Sequence, residues 1–141
     1  MLDLLRKYSL YLTFATALCA MLGSLYASEI LHLEPCVLCW YQRILMYPLV
    51  VISAVGILRK ERAMHHYVLP FSITGSVIAF YHYLLYLGII SEELAPCVAG
   101  VSCTQQLPGI FGFINVILLS LVAFTSITVL MFIYRTSNEN K

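Results

Sequence analysis

Four long stretches of the chain carry no Asp, Glu, Lys or Arg, apart from one arginine inside the second. Tyr8 to Ser28 is the first, and Pro35 to Leu58, interrupted by Arg43, is the second. Ala63 to Ser91 is the third, with His65 and His66 at its start and His82 inside it. Leu94 to Tyr134 is the fourth, but Pro96, Pro108 and Gly109 break its first part. Apolar positions in these stretches run continuously and do not alternate, which excludes the period-two pattern of membrane-barrel strands. Each stretch reaches the roughly 20 residues that a bilayer-crossing helix needs. With Pro and Gly read as punctuation, the pattern predicts helices near 9–28, 37–58, 67–89 and 110–134.

Composition narrows this to one architecture. Of 141 residues, 61% are hydrophobic and 11% are charged, where an ordinary soluble domain has roughly 25% charged. Mean hydropathy is +0.88. A soluble fold of this size has no means of hiding so much apolar surface, so soluble enzymes and nucleic-acid binders are excluded. Disorder is excluded as well, because disordered chains are polar and poor in aromatics. Four spans use about 80 positions, which leaves no room for a fifth. The expected fold is an all-α, four-transmembrane-helix bundle forming a single domain over residues 1–141. Arg6 and Lys7 before the first helix imitate a signal peptide. The apolar run is too long for one, and Leu25-Tyr26-Ala27 is a poor cleavage site, so this helix is expected to stay in the mature protein.

Charge sets the expected orientation. Seven of the eight basic residues fall on one side of the bundle: Arg6, Lys7, Arg59, Lys60, Arg62, Arg135 and Lys141. The two opposite loops hold Glu29, Glu34, Glu92 and Glu93 but no Lys or Arg. The positive-inside rule then places both termini in the cytoplasm and the acidic loops outside.

Four of the five cysteines lie on that outer side: Cys36 and Cys39 in a C-x-x-C, and Cys97 and Cys103 six residues apart. Disulfides persist in such a compartment. Cys19 lies mid-helix and reads as a small buried hydrophobe. The Cys36–Cys39 step closes so short a loop that it is a poor staple, and redox chemistry is the leading reading. Structural disulfides and a zinc site stay open on spacing alone. Pro35 marks a helix start, which puts Cys36 and Cys39 at the positive end of the helix dipole, where thiolates are stabilised. Arg43 follows on the same helix face, about 6 Å along the axis from Cys39, and an arginine inside a span marks a functional site. It can also snorkel to headgroups. His82, about 9 Å below the outer end of the third helix, lies at a similar depth, where the two side chains could clasp a head group bearing carbonyl oxygens. A packed residue of the aromatic belt among Tyr81, Tyr83 and Tyr86 is the plainer reading of His82.

The run Pro35-Cys36-Val37-Leu38-Cys39-Trp40-Tyr41-Gln42-Arg43 resembles the signature of the DsbB family of membrane thiol–quinone oxidoreductases. The close spacing of Cys97 and Cys103 is similar to its compact, BdbC-like subtype. The DsbA–DsbB–quinone relay keeps the bacterial periplasm oxidising. The resemblance implies a multi-pass protein of the bacterial cytoplasmic membrane with its active site on the outer face. It implies, too, that a reduced thioredoxin-fold partner, DsbA- or BdbD-like, attacks the Cys97–Cys103 disulfide. Cys103 then exchanges with Cys36–Cys39 through Cys36. Cys39 faces a quinone, menaquinone or ubiquinone, that takes two electrons. Arg43 and, on the third helix, His82 correspond to quinone-binding positions. No metal and no nucleic acid are implied. Two other classes remain: a vitamin K epoxide reductase-like redox protein, in which the C-x-x-C lies in the last helix, and a non-enzymatic scaffold with stapled outer loops.

Overall fold

The computed structural model describes residues 2–32, 34–91, 93 and 116–139. Four helices form there: α1 Leu2–Glu29, α2 Val37–Arg59, α3 His65–Tyr86 and α4 Val116–Glu139. The described residues contain no strand. Each helix holds a segment long and apolar enough to cross a bilayer: Tyr8–Glu29, Val37–Arg59, His65–Tyr86 and Val116–Thr136. At 1.5 Å per residue such segments cover about 30 Å, the thickness of the hydrocarbon layer.

Helix ends differ from the sequence expectation for local reasons. α1 begins at Leu2, not at residue 9, because the charges bound the lipid span and not the helix; Leu, Arg and Lys are good helix formers. α3 starts at His65 and stops at Tyr86, with Gly88 beyond it at φ 72°. α2 stops at Arg59 because Lys60 turns left-handed at φ 52° and its N–H returns to the Gly56 and Ile57 carbonyls. α4 continues to Glu139, past the expected residue 134. Its expected start at 110, and both Cys97 and Cys103, lie outside the described residues.

α1 packs on α2 and α4, and α3 packs on the same two helices. The bundle is thus a square in chain order. Leu49, Val68, Phe124, Ile127 and Met131 are fully buried at its centre. Ile44, Val51, Leu58, Val77 and Phe80 are exposed, a surface too apolar for water and suited to lipid. Lipid tails supply no hydrophobic drive between helices, so small residues and hydroxyls make the contacts. Ser76 Oγ of α3 lies 3.3 Å from Thr128 Oγ1 of α4, and each also lies within reach of a carbonyl one turn back, so one hydroxyl donates across the seam while the other donates to its own helix. Among the described glycines Gly75 makes the closest approach, since a Cβ there would run into the Phe124 ring, whereas one at Gly23 would meet nothing within 4 Å.

Gly75→Ala should therefore destabilise the bundle by about 1–3 kcal/mol, as overpacking does, while Gly23→Ala should leave it unchanged. Denaturant titration of the purified protein in micelles, followed by helix content, reads both. Equal stability of the two variants would mean that the α3–α4 seam gives way without cost.

Candidate active site

The active-site candidate is assembled at the first turn of α2. Cys36 is the N-cap, with extended backbone at φ −67° and ψ 169°, and its sulfur accepts from the Cys39 N–H at 3.4 Å. An N-cap side chain reaches the backbone of the third helical residue, so the C-x-x-C spacing lays the two sulfurs side by side, 3.1 Å apart. The sequence placed both cysteines in the first turn; Cys39 is there and Cys36 caps it. Cys36 is buried and Cys39 half-buried.

His82 of α3 closes over the pair from the bundle interior. Its Nε2 stands 3.7 Å from Cys36 Sγ, and it is only 1% exposed. Its Nδ1 lies 3.2 Å from Gln42 Nε2, and Gln42 Oε1 accepts from Ser120 Oγ of α4 at 2.8 Å. Cys36, Cys39 and His82 bring their potential ligand atoms within 4.8 Å of one another.

Arg43 turns the other way, toward α1. Its Nε donates to Ser24 Oγ at 2.7 Å and one Nη donates to the Ser24 carbonyl at 2.8 Å, with the guanidinium 5.8 Å from the Trp40 ring centre. This anchors the arginine inside the bundle. A cavity of about 200 Å³ lies between α1, α2 and α4, lined by Cys39, Arg43, Gln42, Ser24, Ser120 and Cys19 among others. Cys19, Tyr26 and Leu119 on its wall are exposed, so it opens toward lipid. Cys19 thus lies on a cavity wall, not in the core that the sequence suggested. Arg43 and Cys39 share this cavity; His82 is not on its wall and meets Cys36 instead. Gln42, Ser120 and Ser24 were not singled out from sequence. Gln42 carried a signal nonetheless, as the one side-chain amide within the four spans.

The sulfurs are unequal. The Cys39 N–H already points at Cys36 Sγ, so Cys36 is the better acceptor of the pair and Cys39 the donor. That thiol hydrogen bond is the largest influence on Cys36; burial opposes it and His82 supports it, and together they bring the Cys36 thiol down to about 4. A depressed value means that the thiolate persists on acidification until the pH falls through that value. Alkylation of reduced Cys36 should therefore hardly change between about pH 8 and pH 6, where an ordinary thiol slows roughly 100-fold. Site-resolved mass spectrometry of iodoacetamide-treated protein measures this, and an ordinary slope at Cys36 would contradict it.

A four-helix membrane bundle that seats a close dithiol at a helix N-terminus, beside a lipid-facing cavity with a tethered arginine, belongs with the membrane thiol-redox proteins. Residues 6–134 match the family described as disulfide bond formation protein DsbB, and the chain belongs to that family. It is 47% identical over 122 residues to "Disulfide bond formation protein C" of Bacillus subtilis, covering 86% of this chain and 88% of that one. It is 40% identical over 138 residues to "Probable disulfide formation protein C 2" of Bacillus anthracis, 98% of each chain. A "Probable disulfide formation protein" of Metapseudomonas resinovorans is 40% identical over 127 residues, 89% of this chain and 88% of that one. No solved structure matches significantly. The chain is a multi-pass membrane protein of disulfide-bond formation, and its compact, BdbC-like relatives are the ones the sequence pointed to.

Proposed function

We propose that this protein is a thiol:quinone oxidoreductase of the bacterial cytoplasmic membrane that reoxidises an extracytoplasmic thioredoxin-fold dithiol protein. Both termini lie in the cytoplasm and the thiols face outward, a reading supported by the one-sided distribution of Lys and Arg. The observation that carries it is the sharing of one lipid-facing cavity by Cys39 and Arg43. An apolar cavity of about 150 Å³ holds a benzene ring, so one of about 200 Å³ has room for a substituted ring. Its opening between α1 and α4 suits a ligand that arrives through the membrane. Arg43 uses two of its five N–H groups on Ser24, leaving donors for a carbonyl oxygen. A menaquinone or ubiquinone held there would supply the acceptor for two electrons and two protons.

The chain's own residues then divide the work. The partner's thiolate attacks the Cys97–Cys103 disulfide, with Cys97 as the first target. Cys103 exchanges with Cys36, and Cys39 is released as the thiolate on the cavity wall. Arg43 orients the ring oxygen and neutralises charge as it develops, while Ser24 keeps the guanidinium from snorkelling away. The bilayer and the apolar walls exclude water from the cavity. Family membership favours this reading over a vitamin K epoxide reductase-like protein and over a scaffold of stapled loops.

Purified, quantified variants in micelles with a soluble quinone and a reduced partner decide it. Cys39→Ser should abolish quinone reduction. Cys97→Ser should block oxidation of the protein partner while Cys36 and Cys39 are still reoxidised by quinone. A hydrogen bond to a charged group contributes about 1.5–3 kcal/mol, so Arg43→Ala should lower kcat/KM for quinone by roughly 10- to 150-fold per folded molecule. Arg43→Lys, which keeps charge without the planar fork, should fall between. Unchanged kcat and KM in Arg43→Ala would remove the arginine from the site and the cavity from the mechanism.

A further inference from the structure

We propose that His82 is the acid–base partner of Cys36, and that the side-chain amide of Gln42, held by Ser120, sets which nitrogen of the ring faces the sulfur. The proposal rests on Cys36 and Cys39 being the working pair. It gives His82 a place on the dithiol instead of on the quinone oxygen.

The contacts of His82 with Gln42 and Cys36 can be made in two hydrogen-bond patterns. In the first, Ser120 Oγ donates to Gln42 Oε1 at 2.8 Å, the Gln42 amide N–H donates to His82 Nδ1 at 3.2 Å, and His82 carries its proton on Nε2, facing Cys36 Sγ at 3.7 Å. In the second, the Gln42 amide is turned end for end, an exchange of near-isosteric groups. Its oxygen then accepts from His82 Nδ1–H, its N–H donates to Ser120 Oγ, and Ser120 donates to the Ile117 carbonyl, already 3.0 Å away. His82 Nε2 is then bare and faces the Cys36 thiol. The Gln42 amide, Ser120 Oγ and His82 Nδ1 keep complementary partners in both patterns, as a buried network requires.

The second pattern makes His82 a base. The Cys36 S–H bond breaks, an N–H bond forms on His82 Nε2, and no electron leaves the dithiol in this step. The product is a thiolate–imidazolium pair, the arrangement by which histidine activates a thiol. The imidazolium has an acceptor at each nitrogen: the Cys36 thiolate and Gln42 Oε1. When Cys36 is next released from a mixed disulfide as the thiolate, the same proton returns to it from His82 Nε2. Among the described residues, Cys36 and Cys39 at the head of α2 are titratable groups that face His82. Arg43 is turned to α1, and Ser120 is the polar contact from α4. Gln42 and Ser120 act through His82 and are positioning residues.

The test is the pH profile of Cys36 alkylation by iodoacetamide, read by mass spectrometry on the full-length protein in micelles. All variants carry Cys39→Ser, which keeps a hydroxyl donor beside Cys36. His82→Phe should shift the Cys36 profile upward, toward that of an ordinary thiol, and slow its alkylation near pH 6 several-fold, while the hydroxyl at position 39 keeps part of the depression. Gln42→Glu supplies a permanent acceptor for Nδ1–H and should extend fast alkylation to lower pH. Gln42→Leu removes that acceptor and should shift the profile upward. Opposite shifts from two substitutions at one position are not what a packing role produces. An unchanged profile in His82→Phe, or shifts of the same sign in the two Gln42 variants, overturns the proposal. Should His82→Phe fail to fold, the Gln42 pair decides alone. The readout involves neither quinone nor protein partner, so its failure is distinct from failure of the quinone reading.

Discussion

Two consecutive residues of α2 bind this bundle together at one level. Gln42 takes His82 of α3 on one end of its amide and Ser120 of α4 on the other, and Arg43 takes Ser24 of α1. Neighbouring residues on a helix point about 100° apart, so positions 42 and 43 reach opposite flanks of α2. In a bilayer an unpartnered polar side chain is costly, and each of these groups finds its partner on a different helix. One turn of α2 therefore fixes the register of all four helices beneath the dithiol. The apolar packing around Phe124 and Leu49 supplies bulk; the polar pairs select one arrangement of it.

That division passes upward to the sulfurs. Cys36 is buried against His82 and the polar chain, whereas Cys39 borders the apolar cavity with Arg43. One thiol thus sits beside groups that hold protons, and its neighbour beside a space suited to an apolar acceptor. The N-cap geometry enforces the asymmetry, because Cys36 Sγ must face the exposed N–H of Cys39. A C-x-x-C placed mid-helix would lack this difference, since neither sulfur would meet an unsatisfied backbone donor.

Four helices and the pairing of Cys39 with Arg43 were legible in the sequence, because charge-free runs and a lone arginine are strong signals in a chain this apolar. The partners of those residues were not. Ser24 and Ser120 are ordinary in membrane helices, where hydroxyls commonly bond back to their own helix, as Ser28 does here. Depth along the axis puts Arg43 and His82 at one level; rotation about the axis turns Arg43 to Ser24 and His82 to Cys36, and rotation is set by packing with other helices. Helix ends were misplaced at α1 and α3 because charge marks the edge of the lipid and not the last hydrogen bond. Cys97 and Cys103 fall outside the described residues, so their part in the relay still rests on spacing and family.

The proposed activity makes a demand on redox poise that the first turn of α2 helps to meet. Structural disulfides lie below about −300 mV, and a strongly oxidising thioredoxin-fold partner sits near −120 mV. A dithiol that oxidises such a partner must have an unusually stable reduced form, which is how the partner itself becomes a strong oxidant. Lowering a thiol by one pKa unit is about 1.4 kcal/mol, or about 30 mV for a two-electron couple. The depression of the Cys36 thiol acts in that direction. Its sources are the capping geometry, the Cys39 thiol and His82, all of which vanish or weaken once the sulfurs are joined. Interactions made only by the reduced pair raise the potential, and here they come from the same few atoms that position the thiols.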